Sequence, residues 1–460
     1  MKQLINKSHF LRVISNNKVS VISEEYIKEF SIGKNHFYQL TNNQQFLVQN
    51  KILKELTNNI PLNNASVAFR KDFSYLHLFE PHRKNYNFIR LDIRSFFHSI
   101  QKDDIREVFK IYIPKDEYID EKKKQSVLDA FINLVTYKIP STSKNEKFKG
   151  KRVLPMGFQT SPIISNIVFR QLDILIQKLC SLHEIVYTRY ADDMLFSSSK
   201  NKTYIHADDF IKEIRIILST MDFKLNEHKT LKAKHTLSLN GYTIQDTDTF
   251  TLKHKNKIFR QKKQKLNELR LSNKKTDIIK KMIHMILTEE KESQIILKKL
   301  FQYKMKLKFV PNEILQNKYN DEQLLNKILG YRSYLISIIQ FNKKYHCTQD
   351  KTIDTYIKII RNLEKVASQY RTKIEKFEKT IEKEKQRIKS ILMQSIEKLH
   401  FTKWEKDILS EVGYTTLKSL EGVTEKHLYG NIKGIGEVKA KKIVTIVNQE
   451  LSKLNRNDNY

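Results

Sequence analysis

Cysteine is nearly absent from this chain: 460 residues hold two, Cys180 and Cys347. Two thiols allow one disulfide at most, and neither a CxxC pair nor a zinc-like Cys/His spacing occurs, so a disulfide scaffold and a structural zinc site are excluded. Apolar runs of 18 residues and lipidation signals are missing too, which argues against a membrane partner. The opening segment MKQLINKSHFLRVISNNKVSV has no apolar stretch and no small-residue cleavage site, so the expectation is a reduced, cytoplasmic protein without a secretory signal. Glycine and proline are scarce, at 10 and 7. Half of the glycines nevertheless fall between residues 413 and 436, which marks a small separate module. Acids are the remaining shortage. Against 84 Lys and Arg stand 51 Asp and Glu, a net charge of +33. Self-repulsion of that size is relieved by a polyanion, and nucleic acid is the commonest one. The length exceeds a single hydrophobic core, and 40% hydrophobic residues suffice for real cores in two or more domains.

Three kinds of pattern follow one another along the chain. Residues 87–97, NFIRLDIRSFF, alternate as a strand does, with Ile89, Leu91 and Ile93 on one side and Arg90, Asp92 and Arg94 on the other. Residues 160–179 read as a helix that Thr160 or Ser161 caps and Pro162 opens, with Ile163, Ile164, Ile167, Val168, Leu172, Leu175 and Leu179 on its apolar face. EIVYTRY and MLFSSS bracket an Asp pair as two arms of a hairpin. Together these make an α+β segment with an antiparallel sheet. Beyond about residue 250 the pattern turns helical and basic, with a cationic stretch over 253–281 and a second helical block over 324–341. Residues 363–398 repeat apolar side chains at three- and four-residue spacing among Lys and Glu. Either a long amphipathic helix packs there on its own domain, or a coiled coil joins two copies.

The acids pose the chemical question. Asp192 and Asp193 adjoin one another between apolar arms, in RYADDMLFSSS. Adjacent carboxylates repel, so the pair belongs either in a solvated turn or on a divalent cation, which prefers hard oxygen ligands. Asp92 lies on the polar side of its strand, where its partner is Arg90 or metal. If metal is the answer, Asp92 and Asp192 share two Mg²⁺ ions, which activate a 3′-hydroxyl and stabilise a leaving pyrophosphate.

Five segments then fall in a telling order: LDIRSFFHSI (91–100), LPMGFQTSPIISNIVF (154–169), YADD (190–193), LNEHKT (225–230) and LNGYTI (239–244). In order and spacing they resemble the palm motifs of reverse transcriptases, most closely the bacterial retron, abortive-infection and defence-associated groups. The resemblance implies an RNA-directed DNA polymerase with a right-hand fold of fingers, palm and thumb. It makes Asp92, Asp192 and Asp193 the carboxylates for two Mg²⁺ ions (Mn²⁺ being the substitute), with Asp193 the least direct ligand. Lys229 matches the lysine that protonates pyrophosphate. Phe97 matches the bulky residue that excludes a ribose 2′-hydroxyl; the plain alternative is a core aromatic beside Phe96. Gly157 would let backbone approach nucleotide or template. Arg70 and Lys71 match a basic fingers motif that clamps a triphosphate, or else form a solvated loop.

Departures are equally specific. Met156 stands where many reverse transcriptases carry Gln, so contacts to the incoming nucleotide must differ. LFEPH keeps only His82 of a retron motif, LNG keeps only Gly241 of another, and the usual basic N-terminal strand pair is missing. These losses point to a divergent defence-associated relative. The expected division is fingers and palm over 1–245, a basic thumb over 246–362, the long helix over 363–398, and an all-α module over 399–460 that resembles helix-hairpin-helix domains. Tyr331 in KILGYRSYLISI stacks on nucleic acid or packs in the core. In NIKGIGEVKAKKI, Gly434 and Gly436 free backbone N–H groups at a helix start, and Lys439, Lys441 and Lys442 add charge for phosphate. That module binds nucleic acid or, alternatively, a protein. Expected partners are dNTPs, a noncoding RNA template, a DNA product or RNA–DNA hybrid, and a second copy or a second defence protein. Two alternatives stay open: template-independent or protein-primed DNA synthesis, and a non-catalytic RNA-binding scaffold.

Overall fold

The computed structural model describes residues 4–16, 22, 24–33, 35–122, 124–245, 266–302 and 313–454. They form two compact units, Met1–Lys275 with Ile338–Asp354, and Thr276–Ser337 with Thr355–Tyr460. Residues 253–265 of the cationic stretch expected to grip duplex lie outside the described residues.

The first unit is α+β. Near its start a hairpin of β1 (Ile27–Ile32) and β2 (Asn35–Leu40) leads into helix α1 (Asn43–Asn59), which Asn42 caps by accepting the amides of Gln44 and Gln45. The centre is assembled from β3 (Asn87–Asp92), helix α2 (Ser161–Leu182), the hairpin β4 (Val186–Tyr190) and β5 (Asp193–Ser198), helix α3 (Asp208–Ser219) and β6 (Leu231–Lys234). These strands make one antiparallel sheet in the order β6-β3-β5-β4. Ile89 and Leu91 of β3 and Phe196 of β5 share a core with Ile163, Ile164, Ile167, Val168 and Leu172 of α2. Burial of such a face is the main free energy holding the sheet, at about 25 cal/mol per Å² of apolar surface. All six residues of β5 are buried, so the strand has no solvated side.

A smaller sheet follows, of β7 (Thr236–Leu239), β8 (Tyr242–Gln245) and β9 (Glu268–Leu271). Asn240 and Gly241 form the two-residue turn between β7 and β8, with φ of 50° and 86°. Positive φ at both turn positions is what such a hairpin demands, and Asn-Gly supplies it at least cost. Glu268–Leu271 is thus a strand, not part of a helical thumb as the sequence pattern suggested; its pairing to β8 overrides the basic, helix-like composition around it.

The α2 helix matches its expected span but not its cap. Thr160 stands at the N-cap position but its side chain accepts no amide of the first turn; its hydroxyl is directed to Gln49 Oε1, and that of Ser161 to the Pro155 carbonyl.

The second unit is helical. It draws on α4 (Asn273–Leu287), α5 (Ser293–Phe301), α6 (Glu313–Tyr345) and α7 (Asp350–Leu392). The α7 helix has 43 residues, about 65 Å at 1.5 Å per residue. It begins ahead of the expected 363 because Tyr356 and Ile359 extend the same buried stripe, and burial runs out after Tyr370. A C-terminal cluster holds α8 (Lys403–Glu411), α9 (Glu425–Asn431) and α10 (Glu437–Ser452) around Leu409, Leu417, Leu428, Ile435 and Ile443. Thr402 and Glu405 close a reciprocal cap on α8. Among the described residues, no helix is long and apolar enough to cross a membrane.

Candidate active site

The β3–β5 register sets Asp92 directly opposite Asp193. The β4–β5 turn has only Ala191 and Asp192 in its loop, since Tyr190 pairs with Asp193. Asp92 and the adjacent pair Asp192 and Asp193, far apart in sequence, therefore come to the same end of the sheet. Ala191 takes φ 56°, a left-handed conformation costing an L-residue roughly 1–2 kcal/mol. That strained turn positions Asp192.

Each acid has its own surroundings. Asp92, 2% exposed, accepts from Asn226 Nδ2 at 3.1 Å, Arg90 Nη2 at 2.9 Å and Lys229 Nζ at 3.1 Å. Asp193 accepts from Arg90 through both Nε, at 2.7 Å, and Nη2, and more weakly from Tyr75 Oη and Asn240 Nδ2, each at 3.4 Å. Asp192 receives no side-chain hydrogen bond among the described residues. Burial, then the like charges of Asp193 and Asp92, push its carboxyl up to about 6.

Arg90 is thus the partner that Asp92 has in the structure: it pairs with Asp92 and Asp193 together and supplies the positive charge that lets them face one another. Among the described residues no group of three or more His, Cys, Asp or Glu side chains is gathered to hold a metal ion. The hydrogen bonds give the reason, because Asp193 is turned toward Arg90, Tyr75 and Asn240. The donor set that fits a hard divalent cation is Asp192, which has repulsion and no side-chain donor, with Asp92 beside it.

Other sequence candidates fall around this centre. Phe97 packs against Phe69 and Phe96, at ring separations of 6.1 and 5.5 Å, and Phe69 continues the aromatic wall to Tyr190. Arg70 spends Nη1 on the carbonyls of Asn63 and Ser66 and stacks its guanidinium 4.4 Å above Phe73, while Lys71 is exposed. Met156 accepts the Tyr38 amide through its carbonyl at 2.8 Å. Gly157, with φ 118°, has its α-carbon against Tyr38: an added Cβ would lie 2.6 Å from that residue's carbonyl oxygen. The close approach that demands glycine is thus to the protein's own β2 strand.

The remaining candidates belong to the second unit. Tyr331 stacks on Phe301. Lys439 sits 3.7 Å above the Trp404 ring and Lys442 pairs with Glu405, whereas Lys441 is exposed. Gly434, φ 96°, turns the chain past Trp404, and Gly436 is the N-cap of α10 with open space before it.

Sequence reasoning missed Tyr75, Asn226 and Asn240. The last two sit inside segments already singled out, LNEHKT and LNGYTI; nothing local marked Tyr75.

Residues 34–244, which carry all of these acids, match the reverse transcriptase (RNA-dependent DNA polymerase) family. That segment is a reverse transcriptase domain. Retron Ec73 reverse transcriptase of Escherichia coli is 32% identical over 189 residues, covering 40% of this chain and 55% of that protein. Retron Ec83 reverse transcriptase, also of Escherichia coli, is 24% identical over 234 residues, covering 49% of this chain and 71% of its own length. The chain therefore spans little more than half of the first of these relatives. Among solved structures, apo telomerase from Candida tropicalis aligns with a TM-score of 0.37 at 12% identity, over 98% of this chain and 71% of that one.

Proposed function

We propose that this chain is an RNA-directed DNA polymerase that extends a DNA strand from dNTPs. The observation carrying the reading is the cross-strand pairing of Asp92 with Asp193 while Asp192 sits on the adjoining turn, without a side-chain donor among the described residues. Asp92 and Asp192 would hold two Mg²⁺ ions, with Asp193 anchored by Arg90 behind them. Such ions, when bound, lower the pKa of an attacking hydroxyl and stabilise the leaving oxygen. The chain's own groups do the rest. Lys229, half exposed and 3.1 Å from Asp92, would pass a proton to departing pyrophosphate. The Phe97 ring, braced by Phe69, forms a rigid wall that favours a sugar without a 2′-hydroxyl.

A dedicated noncoding RNA is the template in this proposal, and antiphage defence the setting, both as the resemblance to retron and defence enzymes implies. The C-terminal cluster would add phosphate contacts through Lys441 and the amides about Gly436. Incorporation of labelled dNTPs by the purified protein with its co-purifying RNA tests the proposal. Synthesis is expected from the wild type and none from Asp192→Asn; undiminished synthesis by that variant would overturn the assignment.

A further inference from the structure

A cavity of about 420 Å³ opens beside the candidate active site, rimmed by Arg94, Lys147, Lys151 and Lys224, with Asp222 its one acid and buried His98 in its wall. It lies close to the catalytic strand. The Asn226 amide donates to the Asp92 carbonyl at 2.7 Å, and two residues on, the Arg94 amide donates to the Lys224 carbonyl at 2.8 Å. Lys147 reaches across from a different loop to give Ser95 Oγ a hydrogen bond at 3.2 Å. Among the described residues none of the four cations forms an ion pair with an acid. This is unlike Lys229, Lys232 and Arg215 nearby, each of which has a carboxylate. Burial, then Arg94, Lys224 and Lys151 in that order, lower the Lys147 ammonium below the ordinary lysine value, and His98 is held neutral, lowered to about 4 chiefly by burial.

Four cations therefore crowd one concavity at the expense of mutual repulsion. A lone phosphate would satisfy one or two of them. A nucleic-acid strand spaces its charges along a groove, whereas these converge. The ligand that matches both charge and volume is a compact chain of linked phosphates carrying three or four negative charges. We propose that this cavity is an oligophosphate site, taking either the tail of a nucleoside triphosphate or free pyrophosphate. Only the source of the ligand rests on the polymerase reading; the anion site itself does not. The pocket also supplies what Arg70 does not offer, since that guanidinium is already engaged by backbone and Phe73.

The test is calorimetric titration of the full chain with sodium pyrophosphate in metal-free buffer, on the wild type, Lys147→Gln/Lys151→Gln, Lys224→Gln and a control, Lys178→Gln/Lys212→Gln. Thermal melts verify that each variant folds. Saturable binding to the wild type and control is expected, weakened about tenfold or more in the double variant and less in Lys224→Gln, as loss of screened cation–phosphate contacts predicts. Absence of saturable binding, or equal affinity in the double variant and the control, overturns the proposal. Displacement of pyrophosphate by dATP but not by deoxyadenosine assigns the site to the substrate's tail, and pyrophosphate binding unaffected by dATP assigns it to the released product. A wild type that binds pyrophosphate yet never incorporates dNTPs would overturn the polymerase reading alone.

Discussion

Arg189 and Asp173 form a bidentate ion pair with both side chains fully buried, Nε to Oδ1 at 2.9 Å and Nη2 to Oδ2 at 2.7 Å. The same guanidinium donates through Nη1 to the Ala191 carbonyl and to Asn166 Oδ1. Asn166 in turn accepts from Ser66 and donates to the Ala68 carbonyl. One buried network thus ties α2, the Asp192 turn and the 65–70 loop together. Asp173→Ala leaves a buried cation unpaired and should cost about 3–5 kcal/mol in urea unfolding. Asp173→Asn keeps the shape and should cost less. A change within about 0.5 kcal/mol for the alanine variant would show that the pair carries little of the turn's stability.

The Asp192 carboxyl, raised to about 6 from an ordinary 3.8, binds its proton more tightly when folded than when unfolded. The metal-free fold is therefore unpenalised below about pH 4 and loses up to about 3 kcal/mol as pH climbs toward 6 and beyond. In EDTA, Asp192→Asn should melt above the wild type at neutral pH and level with it near pH 4. Adding Mg²⁺ should lift the wild type's melting temperature and leave the variant nearly unmoved. Coincident melting curves at neutral pH would contradict the assignment of that carboxyl.

Phe97→Ala removes the ring that Phe69 braces. The preference for dNTP over rNTP should fall by at least about tenfold, which corresponds to about 1.4 kcal/mol of discrimination. Competition between labelled dGTP and GTP in one reaction measures it, and an unaltered ratio would place Phe97 among purely structural aromatics.

Gly157→Ala drives a Cβ to 2.6 Å from the Tyr38 carbonyl oxygen and imposes φ 118° on an L-residue. The oxygen is backbone and cannot swing aside, and the Tyr38 amide bond to Met156 is at risk with it. Destabilisation of about 1–3 kcal/mol or more is expected from guanidinium unfolding, before any effect on nucleotide binding. Full stability with reduced activity would instead favour a role in contacting substrate.

Where side-chain pattern and backbone period coincide, the sequence was informative. The alternation about Asp92 marked its strand and the apolar arms around Asp192 marked a hairpin, and the structure pairs that strand with one arm of the hairpin. Less legible was everything that depends on what lies opposite in space. Arg90 was visible as a partner for Asp92 because it stands two residues away on the same strand face, but its stronger hold on Asp193 requires the register. Tyr75 reaches Asp193 from 118 residues away, and Asp173 meets Arg189 from inside an apolar helix face, so neither announces itself locally. Thr160 and Ser161 had the right chemistry for a helix cap and lost the role to tertiary hydrogen bonds.

The complete enclosure of β5 bears on how the molecule fails. Its amides lie among the most protected positions, where hydrogen exchange proceeds only by opening of the surrounding sheet. The acids at its head share that fate, so mild heat or denaturant should spare them until the sheet itself gives way. Enzymatic inactivation and deuterium uptake by this strand should follow the same curve.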